Sequence, residues 1–450
     1  MGQCAKTDNV VLLFDNYLSD SQNLHISFKQ AGKQYPVAVI EDDGFLPDDV
    51  TSVFGYFLGD FKGAKNIPGK PRYFNQISVP EYWEISGTNS SGKVHDLKKE
   101  RGRIHYAEPA HKRLVKEVDW LDEKGVVRSG DHYNKYGALY ARTIFNAKGQ
   151  KVNKTYFSPD GKEMIVENYV TKDIILNEGN AVKIFRSLTD FVCYFMEKSG
   201  FAQKRIFFNT LSVPFFVSQR MPAGEKGDVL FWQENERPDI PGNMQLIFDG
   251  AATRAAKVMV QKKAAYEKLL ALGAPENMLH RLGYIYPFKK KNEGNPQVLI
   301  CTNSDKIAQC EKLVSALPKL RFHIVAITEM SSKLMSMDSY PNVTLYPGVK
   351  MSVADELFLK CDYYLDINHE GEILSAVQKA FMHNHLIFGF KETLHNPAYV
   401  APEHVYSIDD ADKMIAALRA VLADEKVLKL CLERQHKAAL LEEKGKYLEI

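Results

Sequence analysis

The sequence predicts an α/β protein made of two doubly wound domains facing each other across a cleft, with an antiparallel β domain inserted into the first. Short continuous apolar runs separated by helix-length segments occur at both ends of the chain, as parallel strands buried on both faces require. Between them lies a region of polar turns closing in glycine.

The first α/β stretch opens with VVLLF from Val10, continues through SDSQNLHISFKQAG, and reaches YPVAVIE. No glycine follows the first strand, so a dinucleotide-binding turn is absent and NAD or FAD is not expected. From residue 51 to 186 the turns LDEKG, FNAKG, FSPDG and LNEG separate β-branched and aromatic segments such as MIVENYV. That alternation describes an antiparallel meander. At Ser187 helical spacing resumes: Leu188, Phe191, Val192 and Phe195 share a face, Ser187 can cap the helix and Gly200 can end it. The strand-like runs RIFFN, DVLFW and AKVMV then complete the first domain, which is expected to comprise residues 1–50 and 187–288.

The polar stretch KKKNEGNP, residues 289–296, reads as a linker into a second domain at 289–428. Its strands are QVLIC, RFHIVAI, VTLY, YYLDI and HLIFGF, and a helix is expected over residues 305–317. The C-terminal segment is helical with a break near residues 423–425, and its last part, 429–450, is expected to pack back on the first domain.

Composition narrows the function classes. The 58 basic and 56 acidic residues leave a formal charge of +2, so no global field points to nucleic acid or to an anionic membrane. Six cysteines without CxxC spacing argue against a disulfide framework and a zinc site, and a reducing cytoplasm is the default. The leader MGQCAKTDN has Lys6 where a myristoylation signal needs serine or threonine, and reads as disordered. No apolar run reaches the roughly 18–20 residues of a membrane span, which leaves only peripheral docking.

Several local patterns have plainer alternatives. GTNSSGKV, residues 87–94, fits GxxxxGK but puts Val94 where a phosphate loop needs a magnesium-binding hydroxyl, so a hairpin turn is expected. His383 and His385 in HNH are two apart and do not share a helix face, so no metal is expected. In CTNSDK a strand ends and a helix is expected to start among Thr302, Asn303, Ser304 and Asp305, giving either simple capping or an anion site. WQENE and TEMSSK also follow strands. Strand-end placement makes Trp232, Gln233, Asn303, Ser304, Glu329, Ser331 and His369 candidate cleft residues.

The segments EDDGFLPDDVTSVFGYFLGD, PRYFNQISVPEYWEISG, HKRLVKEVDWLD, VLFWQE, PGNMQLI, TEMSSKL, NVTLYP and DINHE, ordered along nearly the whole chain, resemble the stabilising, acceptor-binding subunit of the accessory Sec glycosyltransferase of Gram-positive bacteria. The resemblance implies a GT-B-like architecture with an extended β insertion. It implies a complex with a homologous catalytic glycosyltransferase subunit, in a hetero-oligomer such as two plus two. That partner transfers N-acetylglucosamine, or glucose in some lineages, from a UDP-sugar to serine-rich-repeat adhesins. The chain itself would hold the unfolded Ser/Thr-rich acceptor, need no cofactor, and work in the cytoplasm or at the inner face of the membrane. The β insertion would serve subunit contact and acceptor tracking.

Active retaining enzymes of this type carry two glutamates separated by seven residues, the second of which accepts hydrogen bonds from the nucleotide ribose. Matching KAFMHNHLIF to their pattern places Lys379 at the second glutamate and Gly371 at the first. A carboxylate accepts hydrogen bonds and an ammonium donates them, so Lys379 cannot replace the acid. Shifting the register brings Glu370 or Glu372 to the first position but pairs it with Gln378 or Ala380. Residues 298–306 hold a single cation, Lys306, where active members use an arginine and a lysine for the diphosphate. Gly371, Lys379 and Lys306 thus mark a vestigial donor site with no catalytic residue expected. The rival reading is an autonomous retaining glycosyltransferase.

Overall fold

The computed structural model describes residues 9–179, 181–222 and 227–450. All of the expected leader except Asn9 lies outside them. The chain divides into two compact units, one running to Gly283 and including Lys446–Ile450, the other Tyr284–Gly445.

The first unit contains two sheets. Its parallel sheet has seven strands in the spatial order Leu279–Arg281, Ala255–Val260, Asp228–Trp232, Arg205–Phe208, Val10–Phe14, Val37–Val39, Val50–Ser52. The order reverses beside Val10–Phe14, which is the doubly wound arrangement. Every residue of Val10–Phe14 and Asp228–Trp232 is buried, because helices cover both faces of a parallel sheet. Strand Val50–Ser52 joins this sheet, so the parallel layer extends past residue 50. The helix foreseen after Ser187 is Leu188–Lys198, with the Ser187 side chain accepting from the Asp190 amide and Gly200 at φ +73° just beyond its end.

The second sheet of this unit has ten antiparallel strands from Glu84–Gly87 to Ala181–Phe185, each paired with its neighbours in sequence. The foreseen turns connect them. Asp122 Oδ1 accepts from the amides of Lys124 and Val126, Asn146 Oδ1 from those of Lys148 and Gln150, and the glycines that follow, Gly125 and Gly149, adopt φ +77° and +75°. Such left-handed positions are open to glycine at little cost. GTNSSGKV is a hairpin turn between the paired strands Glu84–Gly87 and Ser91–Asp96. Tyr140, Tyr156, Ile165 and Leu176 from this sheet share a core with Leu13, Ile206 and Phe191.

The second unit is a six-stranded parallel sheet in the order Val343–Tyr346, Arg321–Ala326, Gln297–Thr302, Tyr363–Asp366, Leu386–Phe390, Val405–Tyr406. It repeats the doubly wound pattern, with its reversal between Gln297–Thr302 and Tyr363–Asp366. The C-terminal helices are Ala411–Ala423 and Glu425–Ala438, broken at Asp424 as expected.

The C-terminal tail packs differently from expectation. Leu428 and Leu432 pack into the core of the second unit, and buried Gln435 accepts from the Ile387 amide and donates to the His385 carbonyl. Only residues from Lys446 onward belong to the first unit, where the Tyr447 ring meets Phe28 edge-on at 5.1 Å and its hydroxyl donates to Gly283 O. An apolar helix face is satisfied by the nearest exposed core, here that of its own unit. No helix among the described residues is long and apolar enough to cross a membrane.

Candidate functional site

In doubly wound sheets a ligand crevice opens at the carboxyl ends of the strands where the order reverses. In the second unit that point lies between Thr302 and Asp366. Thr302 Oγ1 donates to Ser304 O, turning the chain sharply, and lies 2.9 Å from Asn368 Oδ1. Asn368 Nδ2 in turn donates to Asn303 Oδ1 and to Glu370 O. The chain then runs beside the end of its neighbour, with the Ala308 amide donating to Ile367 O. The helix begins only at Cys310, so the expectation that Thr302 to Asp305 open it is not met. Free amides at a helix N-terminus therefore do not face this turn.

The segment EGEILSAVQKAF forms the other side. Strand Tyr363–Asp366 leads through a loop to helix Ala376–Met382. Glu372 Oε1 accepts from the Val377 amide at 2.8 Å and occupies the start of that helix. Glu370 pairs with Lys306 at 2.9 Å, an exposed contact that holds the lysine above its usual range. Lys379 pairs with Asp355, and its Nζ lies 4.6 Å from the centre of the Phe358 ring. At Gly371, the position matched to the first glutamate, a Cβ would meet nothing within 4 Å. Asp366, 1% exposed, is held by His395 through the ring Nδ1 at 2.5 Å and the amide at 2.8 Å. Burial acts to depress the His395 ring, but the Asp366 hydrogen bond and charge overcome it and raise it to about 9. Glu370, Glu372, Lys306, Lys379 and Asp366 are thus each engaged with another part of this chain.

The candidate cleft residues divide between the units. Asn303, Ser304, Glu329 and Ser331 line one recess of about 200 Å³, where Ser331 donates to Asp305 and caps Ser332–Met335. That is below the roughly 300–1,000 Å³ of small-molecule pockets. His369 is exposed outside the recess, its amide donating to Lys306 O. In the first unit, Gln233 Oε1 accepts from Ser21 and from Asn209, whose Oδ1 accepts from the Asp15 amide. Buried Gln233 Nε2 has no partner among the described residues. Trp232 corrects its assignment: it is 2% exposed and packs in the core, because its strand is central in the parallel sheet and covered on both faces. The two histidines of HNH also have structural places. His385 is buried with Nε2 2.7 Å from Phe358 O, and burial lowers it to about 3, while His383 Nδ1 lies 2.7 Å from Lys379 O.

Family models match four consecutive parts of the chain: the GtfB N-terminal domain at 11–57, the GtfB middle domain at 83–186, the GtfB third domain at 188–272, and the GftB/GlyA-F C-terminal domain at 298–435. The UDP-N-acetylglucosamine–peptide N-acetylglucosaminyltransferase stabilizing protein GtfB of Streptococcus gordonii is 43% identical over 96% of this chain and 95% of its own. Its namesake from Limosilactobacillus reuteri is 37% identical, covering 95% of each. Among solved structures, a chain of a GtfA/B complex bound to UDP and GlcNAc superposes with a TM-score of 0.88 at 42% identity, covering 98% of both chains. A chain of the accessory secretory protein 1, 2 and 3 structure from Streptococcus pneumoniae, at 10% identity and a TM-score of 0.55 over 98% of this chain and 99% of that one, shares the fold. With two doubly wound units, an inserted antiparallel sheet and near full-length similarity, this GT-B-like chain belongs to the GtfB family of glycosyltransferase stabilizing proteins.

Proposed function

We propose that this chain is the non-catalytic subunit of a peptide O-glycosyltransferase. It stabilises a homologous catalytic subunit and holds the unfolded, Ser/Thr-rich acceptor while that partner transfers the first sugar from a UDP-sugar. The observation that carries this reading is the self-neutralised donor position: Lys379 on Asp355, Lys306 on Glu370, and Glu372 on the Val377 amide. A ribose clamp needs a free carboxylate, and diphosphate recognition needs free cations or amides. Here each candidate already holds a contact within the chain. The relatives' names, and the GtfA/B complex whose chain this one resembles, support assembly with a catalytic partner.

An unfolded acceptor offers hydroxyls and backbone but little apolar surface, so many weak polar contacts suit it. We place the complex in the cytoplasm, peripherally at the inner face of the membrane, with serine-rich-repeat adhesins as acceptors. The test is calorimetric titration of the purified chain with UDP-GlcNAc and, separately, with a Ser/Thr-rich peptide, followed by transferase assays with and without the catalytic subunit. Peptide binding without nucleotide-sugar binding, and activity only in the complex, are expected. Robust sugar transfer by the isolated chain would overturn the proposal in favour of an autonomous glycosyltransferase.

A further inference from the structure

Within the first unit, a groove of about 820 Å³ lies between the carboxyl ends of Val10–Phe14 and Val37–Val39 and side chains of the antiparallel sheet. One wall carries Glu41 and Asp42, the other Glu117, Glu167, Lys151 and Lys154. Lys151 and Lys154 are three apart and would point to opposite faces of a regular strand. The register steps from Lys151 opposite Phe145 to Asn153 opposite Ile144. This bulge inserts an extra residue and turns both lysines into the groove.

The charges in the groove act on one another through space, Lys154 lying opposite Glu167 on the next strand and near Asp42 and Glu117, but several make no direct hydrogen bond or ion pair. Lys151, Lys154 and Glu41 have no side-chain hydrogen bond or ion pair within 4 Å among the described residues. Burial depresses the Lys154 ammonium and raises the carboxyls of Glu41, Asp42 and Glu117. Partly desolvated charges without hydrogen-bonding partners are costly, so a ligand that supplies them gains. A net-charged ligand would meet its own sign on one wall. A neutral chain does not: its N–H and O–H groups donate to carboxylates and its carbonyls accept from ammonium groups. A sugar stacking on an aromatic face fits less well. Lys154 Nζ lies 4.9 Å from the centre of the Tyr156 ring, which also stacks on Phe54 at 4.6 Å, and Lys151 Nζ lies 5.5 Å from the Tyr169 ring.

We propose that this groove holds an extended, uncharged, hydroxyl-rich segment of the acceptor polypeptide, with its donors toward Glu41 and Asp42 and its carbonyls toward Lys151 and Lys154. The proposal rests on the acceptor-binding reading and gives the acceptor a different seat from the strand-end candidates.

Fluorescence anisotropy of the full chain with a labelled peptide of serine, threonine and alanine tests it. Lys154→Met keeps the apolar stem and is expected to weaken binding by about tenfold or more, as loss of a charged hydrogen bond does. Glu41→Gln, an isosteric change, is expected to weaken it severalfold. Lys312→Met, which removes a surface cation in the second unit, is expected to stay within about twofold. Melting temperatures of the variants verify folding. If the wild-type chain binds the peptide but Lys154→Met and Glu41→Gln bind equally well, the groove is refuted and the acceptor reading survives. If the wild-type chain does not bind it, both fall. Displacement of the peptide by free N-acetylglucosamine, or tighter binding of a peptide interspersed with lysine or glutamate, would also refute the groove assignment.

Discussion

Replacing Lys379 by alanine separates a retained donor site from a vestigial one. The lysine's side chain is 24% exposed and that of Asp355 57%, so their ion pair is screened. Such pairs contribute about 0.2–1 kcal/mol. The contact with the Phe358 ring at 4.6 Å adds about 0.5–1 kcal/mol. Lys379→Ala should therefore cost about 1 kcal/mol in total, which for a unit of this size lowers its melting temperature by about 2–4 °C. Calorimetry of the purified chain measures that shift. Sugar transfer by the complex, assayed at saturating partner, should remain within about twofold of wild type, since the residue supports only local packing. A loss of activity beyond about tenfold with unchanged melting would mean that Lys379 contributes to transition-state stabilisation, and would refute the reasoning.

Asp228→Asn should be far more damaging: Asp228 and Arg254 are fully buried and joined by contacts of 2.9 and 3.1 Å, so removing one charge strands the other at a cost of about 3–5 kcal/mol to the first unit, measurable by denaturant unfolding. The ion pair of His395 gives the second unit a pH dependence. Its ring is raised from 6.5 to about 9, so its contribution is complete below pH 6.5 and is lost as pH rises through 9. After allowance for partial solvent exposure it amounts to about 1–2 kcal/mol, and thermal melts of His395→Gln should lack that alkaline decline. Gly44→Ala should destabilise by about 1–3 kcal/mol, because φ is +84° and a Cβ would lie 2.7 Å from Tyr133 O, whereas Gly63→Ala at φ +74° meets no neighbour and should cost less on chemical unfolding.

The elements were legible because their signals are local. VVLLF, DVLFW and YYLDI are strands, LDEKG and FNAKG are turns, and the helix after Ser187 follows its apolar spacing and its cap. The helix expected from Asp305 begins at Cys310, because Thr302 and Asn368 use their side chains to bind the loop to its neighbouring strand. The groove residues Lys151 and Lys154 escaped sequence reasoning altogether. Their spacing signals opposite faces, and a bulge is defined by pairing with another strand rather than by the residues themselves.

By itself the sequence determined the two doubly wound patterns, the glycine-closed turns between them and the acceptor-free ammonium of Lys379 in the segment after YYLDI. These follow from backbone periodicity and from what each side chain can donate or accept. Only the tertiary structure decided that Trp232 is core, that Glu370 and Glu372 are engaged by Lys306 and the Val377 amide, and that charges of both signs share a groove. Burial and pairing depend on residues distant in the chain, and a charge is free or satisfied only once its neighbours are in place.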